Sequence, residues 1–200
     1  MGKEQKLSEL MHFTDKQMVA MKAADEHDYT LFGGAAGPGK SYWLRWYPVR
    51  QLLKWGKEYD LRGIHAGLFS EDYPTLRDRQ ISKMAIEFPR WLGEVKDTQT
   101  SGLGFYLRPQ YGSHVLQLRN LDDPSKYLSS EFALIAVEEL TMSSEEKFHQ
   151  LRGRLRWTGI ANPKFIAATN PGQIGHLWVK KRWLDRSFPP EEQALAHQYA

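Results

Sequence analysis

Cysteine is absent from the 200 residues, which excludes disulfides, thiolate metal sites and cysteine nucleophiles and fits a reducing compartment. No apolar run approaches the length needed to cross a bilayer. The opening MGKEQKLSELMHFTDKQMVAM lacks the apolar core and cleavage site of a secretory signal, and Lys6 stands where a myristoylation signal wants Ser or Thr. The seven histidines show no metal-ligand spacing. Neither sign of charge dominates: a net +3 permits a nucleic-acid partner without arguing for one. No internal repeat or low-complexity tract interrupts the chain, and Pro and Gly are spread evenly along it. With 41% hydrophobic residues, the expectation is a soluble, intracellular chain that buries one good core.

What is present concentrates first in LFGGAAGPGKSYWLRW, residues 31–46. Gly34, the spacers Ala35, Ala36, Gly37 and Pro38, and then Gly39-Lys40-Ser41 match the phosphate-cradling pattern G-x-x-x-x-G-K-[ST]. Glycines let successive N–H groups turn toward a phosphate, and the helix that follows adds its positive end. In that chemistry Lys40 reaches the β- and γ-phosphates and the Ser41 hydroxyl ligates Mg²⁺. YTLFG before the loop and SYWLRWYPVRQLLKW after it offer the strand and the helix the pattern requires. Pro48 sits inside that helix and is expected to kink it or end it early.

Strand patterns at 30–34, 63–70, 114–121, 132–139 and 164–171 alternate mostly with helical periodicity, which argues an α/β fold with a mainly parallel sheet and helices on both faces. In such sheets ligands sit at the carboxyl ends of the strands. FALIAVEEL ends a buried apolar run in Glu138 and Glu139: the first can join the Mg²⁺ shell and the second can polarise a water near the γ-phosphate. That pair separates hydrolases from nucleotide kinases and switch GTPases. FIAATNP ends another strand in Thr169 and Asn170, placed either to sense the γ-phosphate or simply to leave the strand through a turn. Gln17 begins a helix capped by Thr14 or Asp15, where its amide can read the edge of adenine or lie exposed.

Taken in order, the Gln17 segment, GGAAGPGKS, GLFSEDYPTLRD, KYLSSEFALIAVEELT, FHQLRGRLR and FIAATNPGQIGHLWVKKRWLD resemble the N-terminal ATPase region of the large terminase subunit of tailed bacteriophages. The resemblance runs from about Phe13 to Asp185 and is most specific from Thr169 through Gly175-His176 to Lys180-Lys181-Arg182. It implies a P-loop ATPase fold of the additional-strand, catalytic-glutamate type, ATP and Mg²⁺ as cofactors, adenine recognition at Gln17, metal and water handling at Glu138 and Glu139, and coupling through Thr169 and Asn170. It also implies duplex DNA, a portal protein and a small terminase subunit as partners, a homo-oligomeric ring with a monomeric isolated domain, and a location in the host cytoplasm, transiently docked on the procapsid. Three positions depart from the family pattern: Glu138 stands where Asp is usual, Ser70 where many members have Arg, and the loop spacers include no arginine.

A stabilising arginine is then expected from LRGRLRW, whose Arg154 or Arg156 a ring could present to the neighbour's γ-phosphate; a solvated basic helix end has the same composition. HLWVKKRWLDR interleaves Trp178 and Trp183 with Lys180, Lys181 and Arg182, which suits DNA phosphates and equally an amphipathic helix. The ATPase domain is expected to span residues 1–190, with 191–200 beginning a linker toward a nuclease domain absent from this chain, so no nuclease activity is expected. The alternatives are a helicase-like or repair P-loop ATPase, or a nucleotide-gated binding module, against which an intact Glu139 argues.

Overall fold

The computed structural model describes residues 7–34, 37, 39–122 and 129–200. After a short α1 (Leu7–Leu10), α2 (Asp15–Glu26) starts at Thr14. The Thr14 hydroxyl accepts the Gln17 backbone N–H, and the Gln17 side chain accepts the Thr14 N–H. This reciprocal cap satisfies donors that a helix start otherwise leaves orphaned. β1 (Tyr29–Gly33) leads into the phosphate-loop segment and α3 (Lys40–Glu58) leaves it. Next come β2 (His65–Ser70), α4 (Tyr73–Leu76), a π turn (Arg77–Ile81) and α5 (Ser82–Glu87). β3 (Gly93–Thr98), β4 (Gly102–Leu107), β5 (Val115–Asn120) and β6 (Leu134–Val137) follow. α6 (Glu145–Arg152), β7 (Lys164–Thr169), α7 (His176–Val179), a second π turn (Lys180–Leu184) and a 3₁₀ segment (Pro190–Gln198) complete the order.

The described strands form one sheet in the order β1-β7-β6-β2-β5-β4-β3. Pairs from β1 to β5 are parallel, and β4 pairs antiparallel with both β5 and β3. All five strands expected from the sequence make the parallel part. The β3/β4 hairpin is not visible in the apolar pattern, because Glu94, Lys96 and Asp97 dilute one strand and Gly102 and Gly104 the other. β7 lies between β1, which enters the phosphate loop, and β6, which ends at the glutamate pair. That inserted strand is the additional strand of the expected fold class.

β6 and β7 are buried along their whole length, as a strand covered on both faces must be. Leu134, Ala136, Ile166 and Ala168 join the core beneath α2 and α3, whereas Ile135, Val137, Phe165 and Ala167 join the core beneath α6, with Phe148, Val179 and Trp183. The split follows the alternation of side chains along a strand.

Two regions differ from expectation. α3 continues through Pro48 to Glu58 and does not end early. Pro48 costs ~3 kcal/mol in a helix interior, but Leu44, Val49 and Leu52 are all fully buried on the same helix, at about 1.5–3 kcal/mol each. Packing therefore outweighs the local conflict. Residues 191–200, read as the start of a linker, fold back onto the sheet edge. Tyr199 is fully buried and stacks on Tyr29 with ring centroids 4.5 Å apart. The Leu31 N–H donates to the Ala200 carbonyl and the Ala200 N–H to the Tyr29 carbonyl, each at 2.8 Å. Glu192 accepts from Arg152 at 2.7 Å and from Arg182 at 2.6 Å. The polar EEQ run looks solvated until the partners of Glu192 are known.

Candidate active site

The site grows from the junction of β1 and α3. Gly34 takes φ 138 and Gly39 φ 76, values that side chains disfavour. Gly39 is the N-cap of α3 and, among the described residues, no side chain caps that helix, a start of the kind that offers N–H groups to an anion. A β-carbon on Gly39 would collide with the Gln17 amide, whose Nε2 donates to the Gly39 carbonyl at 2.8 Å. Gln17 is buried, and its Oε1 accepts the Thr14 N–H at 2.7 Å. The residue read for adenine thus braces the phosphate loop from α2. Ala35, Ala36 and Pro38 lie outside the described residues.

Lys40 turns back over the loop. Its Nζ donates to the Gly34 carbonyl and to Asn170 Oδ1, both at 2.9 Å. Burial lowers its pKa from the ordinary lysine value, and the Glu139 carboxylate opposes that shift. Next along α3, the Ser41 hydroxyl donates to Glu138 Oε1 at 2.8 Å, and the Ser70 hydroxyl donates to Oε2 at 3.1 Å. Ser70 therefore holds the first glutamate from the end of β2. A hydroxyl and a carboxylate oxygen side by side are hard donors of the kind Mg²⁺ takes. Among the described residues no group of three or more His, Asp or Glu could hold a metal alone. Mg²⁺ does not require one, since it is held through one or two carboxylates with substrate phosphates and water. The residues present fit it.

Glu139 has φ 51 and ψ 55, the left-handed region, in a non-glycine residue just beyond β6. Such a conformation costs roughly 1–2 kcal/mol and persists where surrounding contacts impose it. Asn170 grips its carboxylate: Nδ2 donates to Glu139 Oε1 at 2.7 Å and the backbone N–H to Oε2 at 3.1 Å. Asn170 therefore joins Lys40 to Glu139 in one chain of contacts. A cavity of about 260 Å³ opens beside them, lined by Asp72, Arg79, Glu138, Glu139, Asn170 and Gln173 among others. It lies at the carboxyl ends of β2, β6 and β7, where ligands bind such sheets. Thr169 is buried; its hydroxyl meets that of Thr141 at 2.7 Å, tying the end of β7 to the turn after Glu139.

Neither protein-family models nor curated proteins match this sequence. Solved structures do. The large terminase of a thermophilic bacteriophage superposes with a TM-score of 0.70 at 18% identity, covering 92% of this chain and 44% of that one. The N-terminal domain of the DNA packaging ATPase of bacteriophage phi29 gives 0.55 at 16%, covering 84% of this chain and 86% of that one. The large terminase ATPase domain of Thermus phage P74-26 gives 0.52 at 14%, with 100% and 98% covered. The fold is that of a phage packaging ATPase domain. This chain spans less than half the length of the first of these three, the terminase of the thermophilic bacteriophage.

Within that packaging-ATPase fold the structure brings together Gln17, Gly34, Gly39, Lys40, Ser41, Glu138, Glu139, Thr169 and Asn170. It keeps two expected residues apart from them. The Phe132 N–H donates to the Arg154 carbonyl at 2.9 Å, and Phe132 pairs with Leu155, so Arg154 and Arg156 stand at the opposite end of β6. Phe132 and Glu139 are separated by roughly 23 Å of extended chain, which is more than an arginine side chain bridges. Arg156 pairs with Glu131 at 2.7 Å. The basic-aromatic cluster is split, with Lys180 and Lys181 exposed. Arg182 and Trp183 are buried, and Trp178 donates to the Ser143 carbonyl at 2.9 Å. Ser70, Arg79 and Thr141 escape a sequence reading because a lone Ser, Arg or Thr at a strand end or on a helical turn has no distinguishing spacing.

Proposed function

We propose that this chain is the ATPase motor domain of a phage large terminase subunit and hydrolyses ATP to drive double-stranded DNA into a capsid. The observation that carries the reading is the Ser41 hydroxyl 2.8 Å from Glu138, with Lys40 and Glu139 joined through Asn170 beside the uncapped start of α3. The fold it shares with the terminase of the thermophilic bacteriophage, a protein seen in complex with ATP-γ-S and with ADP, supports nucleotide as the ligand.

In this mechanism Lys40 leaves the Gly34 carbonyl and Asn170 to place its charge on the β- and γ-phosphates. The N–H groups of Gly39 and the first turn of α3 bind phosphate oxygens. Ser41 and Glu138 would hold Mg²⁺, which would supply positive charge to the phosphates. Glu139, once one of its oxygens is released by Asn170, accepts a proton from the attacking water as the water oxygen bonds the γ-phosphorus and the bond to the β-phosphate oxygen breaks, leaving ADP and phosphate. Asn170 contacts both Lys40 and Glu139, so it carries the loss of the γ-phosphate to β7, and Thr169 and Thr141 pass it to the following turn. Gln17 fixes the loop through the Gly39 carbonyl and would set adenine preference on release of its amide from Thr14. The portal protein, the small terminase subunit and further copies in a ring are the partners, the isolated domain is a monomer, and the host cytoplasm is the compartment. The motor domain includes residues 191–200, whose Tyr199 stacks on Tyr29 and whose Ala200 pairs with the β1 backbone; cleavage of DNA belongs elsewhere.

Phosphate release measured with and without Mg²⁺ and duplex DNA tests this. Turnover should require Mg²⁺, rise with duplex DNA and vanish in Lys40→Ala. Undiminished turnover in Lys40→Ala would sink the phosphate-loop assignment. Stimulation by single-stranded DNA together with strand unwinding would favour the helicase-like alternative.

A further inference from the structure

The phosphate loop carries no arginine, yet the cavity beside Glu139 holds a guanidinium that the mechanism has not used. Arg79 belongs to the π turn Arg77–Ile81, between α4 and α5. Such turns are rare and frequent at functional sites. Its backbone is held from behind by Arg45 of α3, a nearly buried side chain. Arg45 donates to the Arg79 carbonyl at 3.0 Å and to Gln80 Oε1 at 3.1 Å, while its Nε and Nη2 grip both carboxylate oxygens of Glu87 at 2.8 and 2.6 Å. A forked pair of this kind fixes geometry as well as charge. α3 therefore carries both the phosphate-loop residues Lys40 and Ser41 and the support for Arg79.

Held this way, Arg79 Nη1 stands 3.8 Å from Glu139 Oε1 and lines the same cavity as Glu138 and Asn170. Asn170 supplies neutral donors to the two Glu139 oxygens; Arg79 supplies a full positive charge to one of them. We infer that Arg79 is a positioning residue for ATP hydrolysis, acting in cis: its guanidinium holds the Glu139 carboxylate toward the cavity, where the attacking water must be oriented. The inference rests on the ATPase reading. Because the Arg79 side chain is 56% exposed, truncating it buries no unpaired charge and opens no void, so a purely structural role predicts almost no effect.

The test compares Arg79→Ala, Arg79→Lys and, as a control on the same turn, Arg77→Ala, whose side chain is exposed and paired with its neighbour Asp78. Arg79→Ala should lower kcat by roughly tenfold to a hundredfold, the scale of a misplaced catalytic group, with KM and the urea midpoint nearly unchanged. Arg79→Lys should recover part of the loss and Arg77→Ala should match the wild type. In the ligand-free protein, Arg79→Ala should also speed hydrogen exchange at the Asn170 amide, which donates to Glu139. Mixing Arg79→Ala with Glu139→Gln subunits should restore nothing, since both groups serve one site. Wild-type kcat in Arg79→Ala overturns the inference, as does a loss carried by KM or by unfolding, unchanged exchange at Asn170, or rescue in the mixture. The ATPase reading fails separately, when the wild-type chain neither binds nor hydrolyses ATP, and the inference then falls with it.

Discussion

Two residues give contrasting tests of local chemistry. Glu139→Gln keeps the shape that Asn170 grips but cannot take a proton from water. It should bind ATP·Mg²⁺ normally while hydrolysis falls by about 10²–10⁴, as measured by nucleotide titration beside single-turnover kinetics. If Glu138→Gln is instead the variant that binds without turnover, the roles of the two glutamates are exchanged. His114 tests stability. It is buried, with Nδ1 accepting the Ile64 N–H at 3.1 Å, a bond that requires a lone pair on Nδ1. Burial, aided by Arg62, pushes its pKa down to about 4. The unfolded chain takes up the proton near pH 6.5, so the stability that His114 contributes is complete above that value and is lost as pH falls from about 6.5 to about 4. The loss is on the order of 3 kcal/mol. Urea midpoints at pH 7.5 and pH 4.5 measure it, and His114→Gln should flatten the slope without abolishing it, because burial also lowers the pKa of His65. An unchanged slope would mean that His114 is protonated in the fold.

Single elements carry the next two expectations. Arg45 ties α3 to the π turn and to α5 through Glu87. Arg45→Ala strands that carboxylate in a partly buried place and should cost about 3 kcal/mol in urea unfolding, with kcat falling as well because the backbone of Arg79 loses its support. A cost below that of an ordinary surface ion pair would show that α5 is held by apolar contacts alone. The closing segment is tested by Tyr199→Ala. Tyr199 contacts Tyr29, Trp183 and Phe188, and removing a buried ring of this size costs about 3–5 kcal/mol. A change under ~1 kcal/mol would show that residues 191–200 leave the sheet in solution, as a linker would.

At the scale of the whole molecule, the position of Arg154 and Arg156 decides what they could do. Both stand at the end of β6 remote from Glu139, so neither can serve the γ-phosphate of its own chain. A contribution to catalysis would have to reach a neighbouring copy. If it does, turnover should rise more than linearly with protein concentration as subunits meet. An Arg154→Ala or Arg156→Ala subunit mixed with a Glu139→Gln subunit should regain activity, because one supplies the glutamate and the other the arginine. Arginines acting in this way are worth roughly 10³–10⁵ in rate. Linear concentration dependence without rescue would leave Arg156 as the partner of Glu131 and nothing more. The opposite result expected for Arg79 in the same mixture separates a cis arginine from a trans one.

The phosphate loop, the five parallel strands and the Glu138-Glu139 pair were legible in the sequence because each is encoded locally. Glycine spacing sets a turn, an unbroken apolar run marks a strand covered on both faces, and the carboxylates follow directly on such a run. Pro48 does not end α3 for a related reason: its local cost is visible, whereas the buried side chains that outweigh it are a property of the packed sheet. The order β1-β7-β6 was decided only by the tertiary structure, and that order sets Lys40 against Asn170 across 130 residues and Ser41 against Glu138 across 97. Ser70 on Glu138, Thr141 on Thr169, Arg79 beside Glu139 and Tyr199 on Tyr29 belong to the same class. Each is a contact between single residues far apart in the chain, and no periodicity records which of many serines, threonines, arginines or tyrosines the folded sheet will bring to which partner.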